Sequence, residues 1–98
     1  MHPLDETITT AIKEQRRLAF DYDGRKRVVD PHAYGIRSDG ERMLEAFQVD
    51  GYSSRELPNW RDFNLLAIEN LEMLEDSFQK QRSFSIREER WAKVIANL

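Results

Sequence analysis

Ninety-eight residues give room for one domain with a single modest core. Apolar residues make up 40% and charged residues 34%, and there is no cysteine, which excludes disulfides, thiolate catalysis and Cys-based zinc sites together. The net charge of −3 argues against a uniformly basic duplex-binding surface, and no apolar run reaches the length of a membrane span. The opening Met1-His2-Pro3-Leu4-Asp5-Glu6 lacks the basic start and apolar middle of a signal peptide, so a cytoplasmic location is expected, away from membranes.

The first segment reads as a helix over about residues 4–16. Leu4, Ile8, Ala11 and Ile12 recur at helical spacing, and Asp5 or Thr7 is placed to cap it. Leu18, Phe20 and Tyr22 then alternate with Ala19, Asp21 and Asp23, the period of a half-buried strand. Asp23-Gly24 is a turn signal that admits two registers. A two-residue loop sets Phe20 opposite Arg27 and Tyr22 opposite Arg25. A three-residue loop, Asp23-Gly24-Arg25, sets Phe20 opposite Val28 and Asp21 opposite Arg27. The second matches apolar with apolar and acid with base, and is the register expected. Arg27 is then also readable as a mere surface partner of Asp21, a contact worth about 0–1 kcal/mol.

Pro31, which has no N–H for a ladder, is expected to end the second strand, with His32 to Arg37 a short extended piece after it. Ser38-Asp39-Gly40 is a turn, Arg42 to Val49 a third strand, Tyr52 to Asn59 a loop and Trp60 to Leu66 a fourth strand. Ile68, Leu71, Leu74 and Phe78 have helical spacing, yet the run is short enough to be a strand. Ser85 and Glu88 match a capping box, and Trp91, Val94, Ile95 and Leu98 form one apolar stripe, so a C-terminal helix is expected over about residues 86–97. That stripe would cover an open end of the core, or dock on a second copy or on a regulator partner.

Charge is unevenly spread. Seven basic residues stand against five acidic between Arg16 and Arg42, whereas Glu69 to Asp76 holds four acidic residues and no basic one. Tyr22, Arg27, His32, Tyr34, Arg42, Trp60 and Arg61 combine guanidinium forks suited to phosphate with rings suited to unstacked bases, and His32 and Gln48 add hydrogen-bonding groups. The competing reading of the rings is simple core packing. No catalytic pattern accompanies them. His2 and His32 have no metal-ligand spacing, and Ser53 and Ser54 lie in a polar stretch with no recognisable base. The chain is therefore read as non-enzymatic, with no cofactor and no metal.

Several segments together resemble one family. Ala11-Ile12, Phe20-Asp21-Tyr22 and Arg27-Val28-Val29-Asp30-Pro31 look like the start of a WYL domain, and Met43-Leu44-Glu45-Ala46-Phe47 and Arg61-x-Phe63-x-Leu65-x-x-Ile68 resemble its signature and closing strands. The resemblance covers about Leu4 to Phe78. It implies a single α+β, mainly β domain: a small SH3/Sm-like antiparallel β-barrel with strands over about residues 17–75 and a helix before it. It also makes the run from Ile68 a strand. Such domains are mostly bacterial or phage, usually sense ligands within transcription regulators, and are thought to bind nucleic acid or nucleotide-like ligands. The departures are specific. The namesake Trp-Tyr-Leu is Arg42-Met43-Leu44 here, and two closing-strand arginines are replaced by Asn64 and Ala67. No helix-turn-helix precedes the domain. The implied function is a nucleotide or short single-stranded nucleic-acid module in which Arg27 and Arg61 hold phosphate, Arg42 assists, Tyr34 or Trp60 stacks, and His32 and Gln48 hydrogen-bond. The alternative is a protein-interaction or dimerisation module with no small ligand.

Overall fold

The computed structural model describes residues 2–98 and is mainly β: one N-terminal helix and a six-stranded antiparallel sheet. Helix α1 spans Asp5–Glu14 and buries Ile8, Ala11 and Ile12 completely, as their spacing predicts. Its end is set by Gln15, which adopts the left-handed conformation (φ 52°) and ties the helix to the end of the fifth strand through Phe78. Neither Asp5 nor Thr7 caps the start. Leu4 holds the cap position, and the Asp5 carboxylate is engaged by other groups.

The strands are β1 (Arg16–Tyr22), β2 (Arg25–Arg37), β3 (Arg42–Gly51), β4 (Asn59–Asn64), β5 (Ile68–Ser77) and β6 (Trp91–Asn97). Hydrogen-bonded order is β4-β3-β2-β1-β5, with β6 on β2. The ends of that path, β4 and β5, are joined by only a three-residue 3₁₀ turn, Leu65–Ala67. Five strands lying flat would separate those ends by roughly 19 Å at about 4.8 Å per step, so the sheet has to curl. Contacts across the hollow agree: the Phe20 and Phe63 rings meet edge to face at 5.0 Å, and the Tyr22 hydroxyl accepts the Asn64 N–H at 3.1 Å.

Four expectations are corrected. The β1–β2 hairpin takes the two-residue loop, with Phe20 opposite Arg27 and Tyr22 opposite Arg25. Asp23 (φ 55°) and Gly24 (φ 72°) both adopt left-handed backbone, the turn whose twist matches the flanking strands, and this outweighs the matching of side-chain types. Asp21 is served instead by the Asn70 side-chain amide at 2.9 Å. Second, β2 runs straight through Pro31. β1 pairs with β2 as far as Val29 and β6 begins at Ala33, so Pro31 falls in the gap between the two ladders, beside a register shift in the β3 ladder, where a missing N–H is tolerated.

Third, there is no C-terminal helix among the described residues. Glu88–Arg90 is a 3₁₀ turn with no side-chain cap, and residues 91–97 form β6. The second half of β2 has lost β1 as a neighbour, and its open N–H and C=O groups recruit a segment rich in β-formers, Trp91, Val94 and Ile95. Gly35 permits the approach, since a Cβ there would lie 2.2 Å from the Lys93 carbonyl oxygen. Fourth, Trp91, Val94, Ile95 and Leu98 are therefore not one face. Trp91 is buried with Phe84 and Ala33 on the outer side of the sheet, while Ile95 packs on the inner core. The run from Ile68 is a strand.

Two cores result. The inner one joins α1 to Leu18, Phe20, Val29, Leu44 and Phe63, and the smaller outer one gathers Ala33, Phe84 and Trp91 with Trp60 beside them.

Candidate anion site

The hairpin register decides which side chains face the hollow. Opposed residues share a face, so Phe20 facing inward brings Arg27 inward with it, and Tyr22 brings Arg25. The same logic continues across β3 and β4: Val29 lies opposite Gln48, Gln48 opposite Asn59, and Ala46 opposite Arg61. One end of the inner face is thus apolar and the other carries Arg25, Arg27, Gln48 and Arg61.

Arg27 is 1% exposed, and only its Nη2 is engaged, donating to the Tyr22 carbonyl oxygen at 3.1 Å. Its Nε and Nη1 are buried with no hydrogen-bond partner. The guanidinium lies 5.5 Å from the centre of the Tyr22 ring and 5.2 Å from that of Tyr52. Arg61 sits over Tyr22 and Phe63 at 5.8 and 5.5 Å. Neither arginine forms an ion pair with a carboxylate among the described residues. Burial, and then the positive charge of Arg61, push the affinity of Arg27 for its proton below the ordinary arginine range. Gln48 is 1% exposed. Its Nε2 donates to the carbonyl oxygens of Asp50 (3.1 Å) and Tyr52 (2.8 Å), which fixes the orientation of the amide and leaves Oε1 buried and unpartnered. Tyr52, 45% exposed, closes this end, with the Arg25 guanidinium 4.0 Å from its ring centre. Gly51 (φ 90°) makes the bend that carries Tyr52 there.

The remaining anticipated residues lie elsewhere, in two groups. Arg42 and Tyr34 belong to the start of α1. Arg42 donates to both Asp5 carboxylate oxygens at 2.9 and 3.1 Å, and the Tyr34 hydroxyl donates to the same carboxylate. Burial raises the Asp5 carboxyl, but the hydrogen bonds from Tyr34 and His2 and the charge of Arg42 bring it below the usual carboxylate range. Tyr34 itself is pushed well above the normal phenol range by burial and by Asp5.

His32 and Trp60 form an aromatic cluster on the outer side. Trp60 packs against His32 at 4.8 Å, Phe47 at 5.2 Å and Phe84 at 5.8 Å. His32 is fully buried. Its Nδ1 donates to the Asp30 carbonyl oxygen at 2.8 Å and its Nε2 accepts the Gln81 N–H at 3.0 Å, an arrangement that requires the neutral ring. Burial holds its pKa below the ordinary histidine range. His32 has no open face for a base, whereas Trp60 is half-buried and lines a shallow pocket with Phe84.

Arg25 and Tyr52 were missed by sequence reasoning. Arg25 was findable, because the Asp-Gly pair favours the tight turn that sets it opposite Tyr22. Tyr52 follows a strand in a serine-rich loop and carries no such signal. No group of three or more His, Asp or Glu residues among the described residues is placed to hold a metal, and no helix is long and apolar enough to cross a membrane. Comparison with protein-family models, with curated proteins and with solved structures finds no match.

Proposed function

We propose that this chain is a non-catalytic ligand-binding module that recognises an anionic ligand, a nucleotide or short single-stranded nucleic acid, at the end of the hollow formed by Arg27, Arg61 and Gln48. The observation that carries this is Arg27: a buried guanidinium with two unpartnered nitrogens, beside a second arginine, with the Asp23 carboxylate near enough to act on its charge but not in an ion pair with it. Burying a charge without a counter-ion is unfavourable by several kcal/mol, so the arrangement is understandable where an anion supplies the missing partner. Arg25 and Tyr52 offer a cation and an exposed ring at the mouth, and Tyr52 has to turn aside for a ligand to reach Arg27. The curled sheet is best read as a small barrel of the SH3/Sm type, and the WYL-like segments fit a regulatory ligand-sensing role, here with Arg25 rather than Arg42 as the third cation.

Fluorescence anisotropy with 3′-labelled, 5′-phosphorylated single-stranded DNA, single-stranded RNA and duplex tests this at two salt concentrations. Expected is salt-sensitive binding to single strands that the Arg27→Ala/Arg61→Ala double variant loses. Flat traces for all three would contradict it. The second reading is a protein-interaction or dimerisation module. It draws on β6, which is hydrogen-bonded to β2 alone and stands beside a groove of about 700 Å³ whose walls include Thr9, Lys13, Lys93 and Ile95. Concentration-dependent self-association in sedimentation, with no response to anions, would favour it.

A further inference from the structure

The two orphaned groups in the hollow are of opposite kind. Arg27 presents N–H donors without acceptors, and Gln48 presents an acceptor, Oε1, without a donor. Both side chains are 1% exposed and lie on the same inner face: Arg27 opposes Gly51, and Gln48 opposes Val29, the next inward residue of β2. A ligand that satisfies both must bring oxygens that accept and, within the same small group, a hydrogen that donates.

We infer that the site, on the anion-binding reading above, selects an oxyanion carrying its own O–H: hydrogen phosphate or a phosphomonoester end rather than sulfate or an internal phosphodiester. Sulfate and a diester are acceptors only at any pH near neutral. Bound between Arg27 and Arg61, either would set oxygen lone pairs against Gln48 Oε1 and leave that buried acceptor unpaired. A phosphomonoester, whose second ionisation lies near pH 6, keeps a P–OH in a large part of its population at that pH, and inorganic phosphate keeps one throughout. The Gln48 amide cannot turn to present its nitrogen instead, because Nε2 is held by the Asp50 and Tyr52 carbonyl oxygens. For a strand, the consequence is recognition of its phosphorylated end and not of its length.

Isothermal titration of the full chain at pH 6 with inorganic phosphate, sulfate, AMP and dimethyl phosphate tests this. An unpaired buried acceptor disfavours sulfate by roughly tenfold or more, and the same ratio is expected for AMP over dimethyl phosphate. Gln48→Leu should bring the phosphate-to-sulfate ratio toward one. The ratios in the unaltered chain decide the matter even if that variant folds poorly. A 5′-phosphorylated and a 5′-hydroxyl oligonucleotide then separate the sources: a preference for the phosphorylated one assigns the site to a strand end, and binding of phosphate and AMP alone assigns it to small ligands. Equal affinity for all four anions, lost in the Arg27→Ala/Arg61→Ala variant, would overturn this inference and leave the anion site standing. No binding of any anion would remove both.

Discussion

The molecule holds arginines in two contrasting settings. At the start of α1, Arg42 shares the Asp5 carboxylate with Tyr34, and on the sheet Arg17 donates to the buried Asp30 at 2.8 Å. At the other end of the sheet's inner face, Arg27 and Arg61 share the Tyr22 ring and form no ion pair among the described residues. A partly exposed guanidinium matched by an acid is part of the scaffold. One buried beside a second positive charge without an ion pair is costly to the fold, and on the proposed reading an anion offsets that cost. Burial and partner atoms both separate them: Arg27 is 1% exposed with no ion pair, whereas the Arg17 and Arg42 side chains are 33% and 24% exposed and each meets a carboxylate.

Several substitutions sharpen or break that contrast. The largest effect is expected at Arg17. Its removal strands Asp30, a carboxylate whose pKa burial already raises despite Arg17, and should cost about 3 kcal/mol, lowering the thermal midpoint by roughly 12–24 °C in a chain this size. Arg42→Ala should cost less, about 1–3 kcal/mol, because the Tyr34 hydroxyl still serves Asp5. Anion affinity should survive both changes, and its loss in Arg42→Ala would mean that the α1 end takes part in binding. Arg61→Ala should shift stability by less than about 0.5 kcal/mol, since it removes no ion pair and relieves repulsion of Arg27, while abolishing anion binding.

The smallest effect is the pH dependence of His32. Its folded pKa lies below the ordinary value, so as pH falls below about 6.5 the unfolded chain takes up the proton first. Stability contributed by the neutral ring is complete above that pH and declines beneath it. Asp30 and Glu45, both raised, act in the opposite sense nearer the carboxylate range. Midpoints recorded between pH 7.5 and 5.5 should fall, and with a shallower slope in His32→Gln. An unchanged slope would show that the Gln81–His32 link is not the sensitive element.

Much of the fold was legible. The apolar stripe of α1, the alternation of Leu18, Phe20 and Tyr22, and the strands of Met43-Leu44 and Arg61-x-Phe63 all follow from local pattern. What failed depended on distant pairing. Trp91, Val94 and Ile95 carry helical spacing, yet the open edge of β2 draws them into a strand, and no local signal reports that edge. Pro31 looked like a stop because the change of neighbour at that point of β2 is a property of the sheet.

The candidate site turned on one residue of register. Of the residues singled out in the sequence, Arg27, Arg61 and Gln48 lie on one face of the sheet, but a three-residue loop would put Arg27 on the outer face with Asp21. The backbone preference of Asp23-Gly24 outweighs the matching of side-chain types, and a slip of one position reverses every face. His32, Tyr34, Arg42 and Trp60 lie apart from those three, in contact with Gln81, Asp5 and Phe84, and residue type alone does not report this.

Arg27→Met tests the central claim most directly, with the thermal midpoint and phosphate binding read on the same preparation. Methionine fills much of the same space without the unmatched charge. If Arg27 is kept for a ligand, the midpoint stays level or rises and phosphate binding disappears. A fall of more than about 10 °C, near 2 kcal/mol for a domain of this length, would show instead that Arg27 holds the fold together.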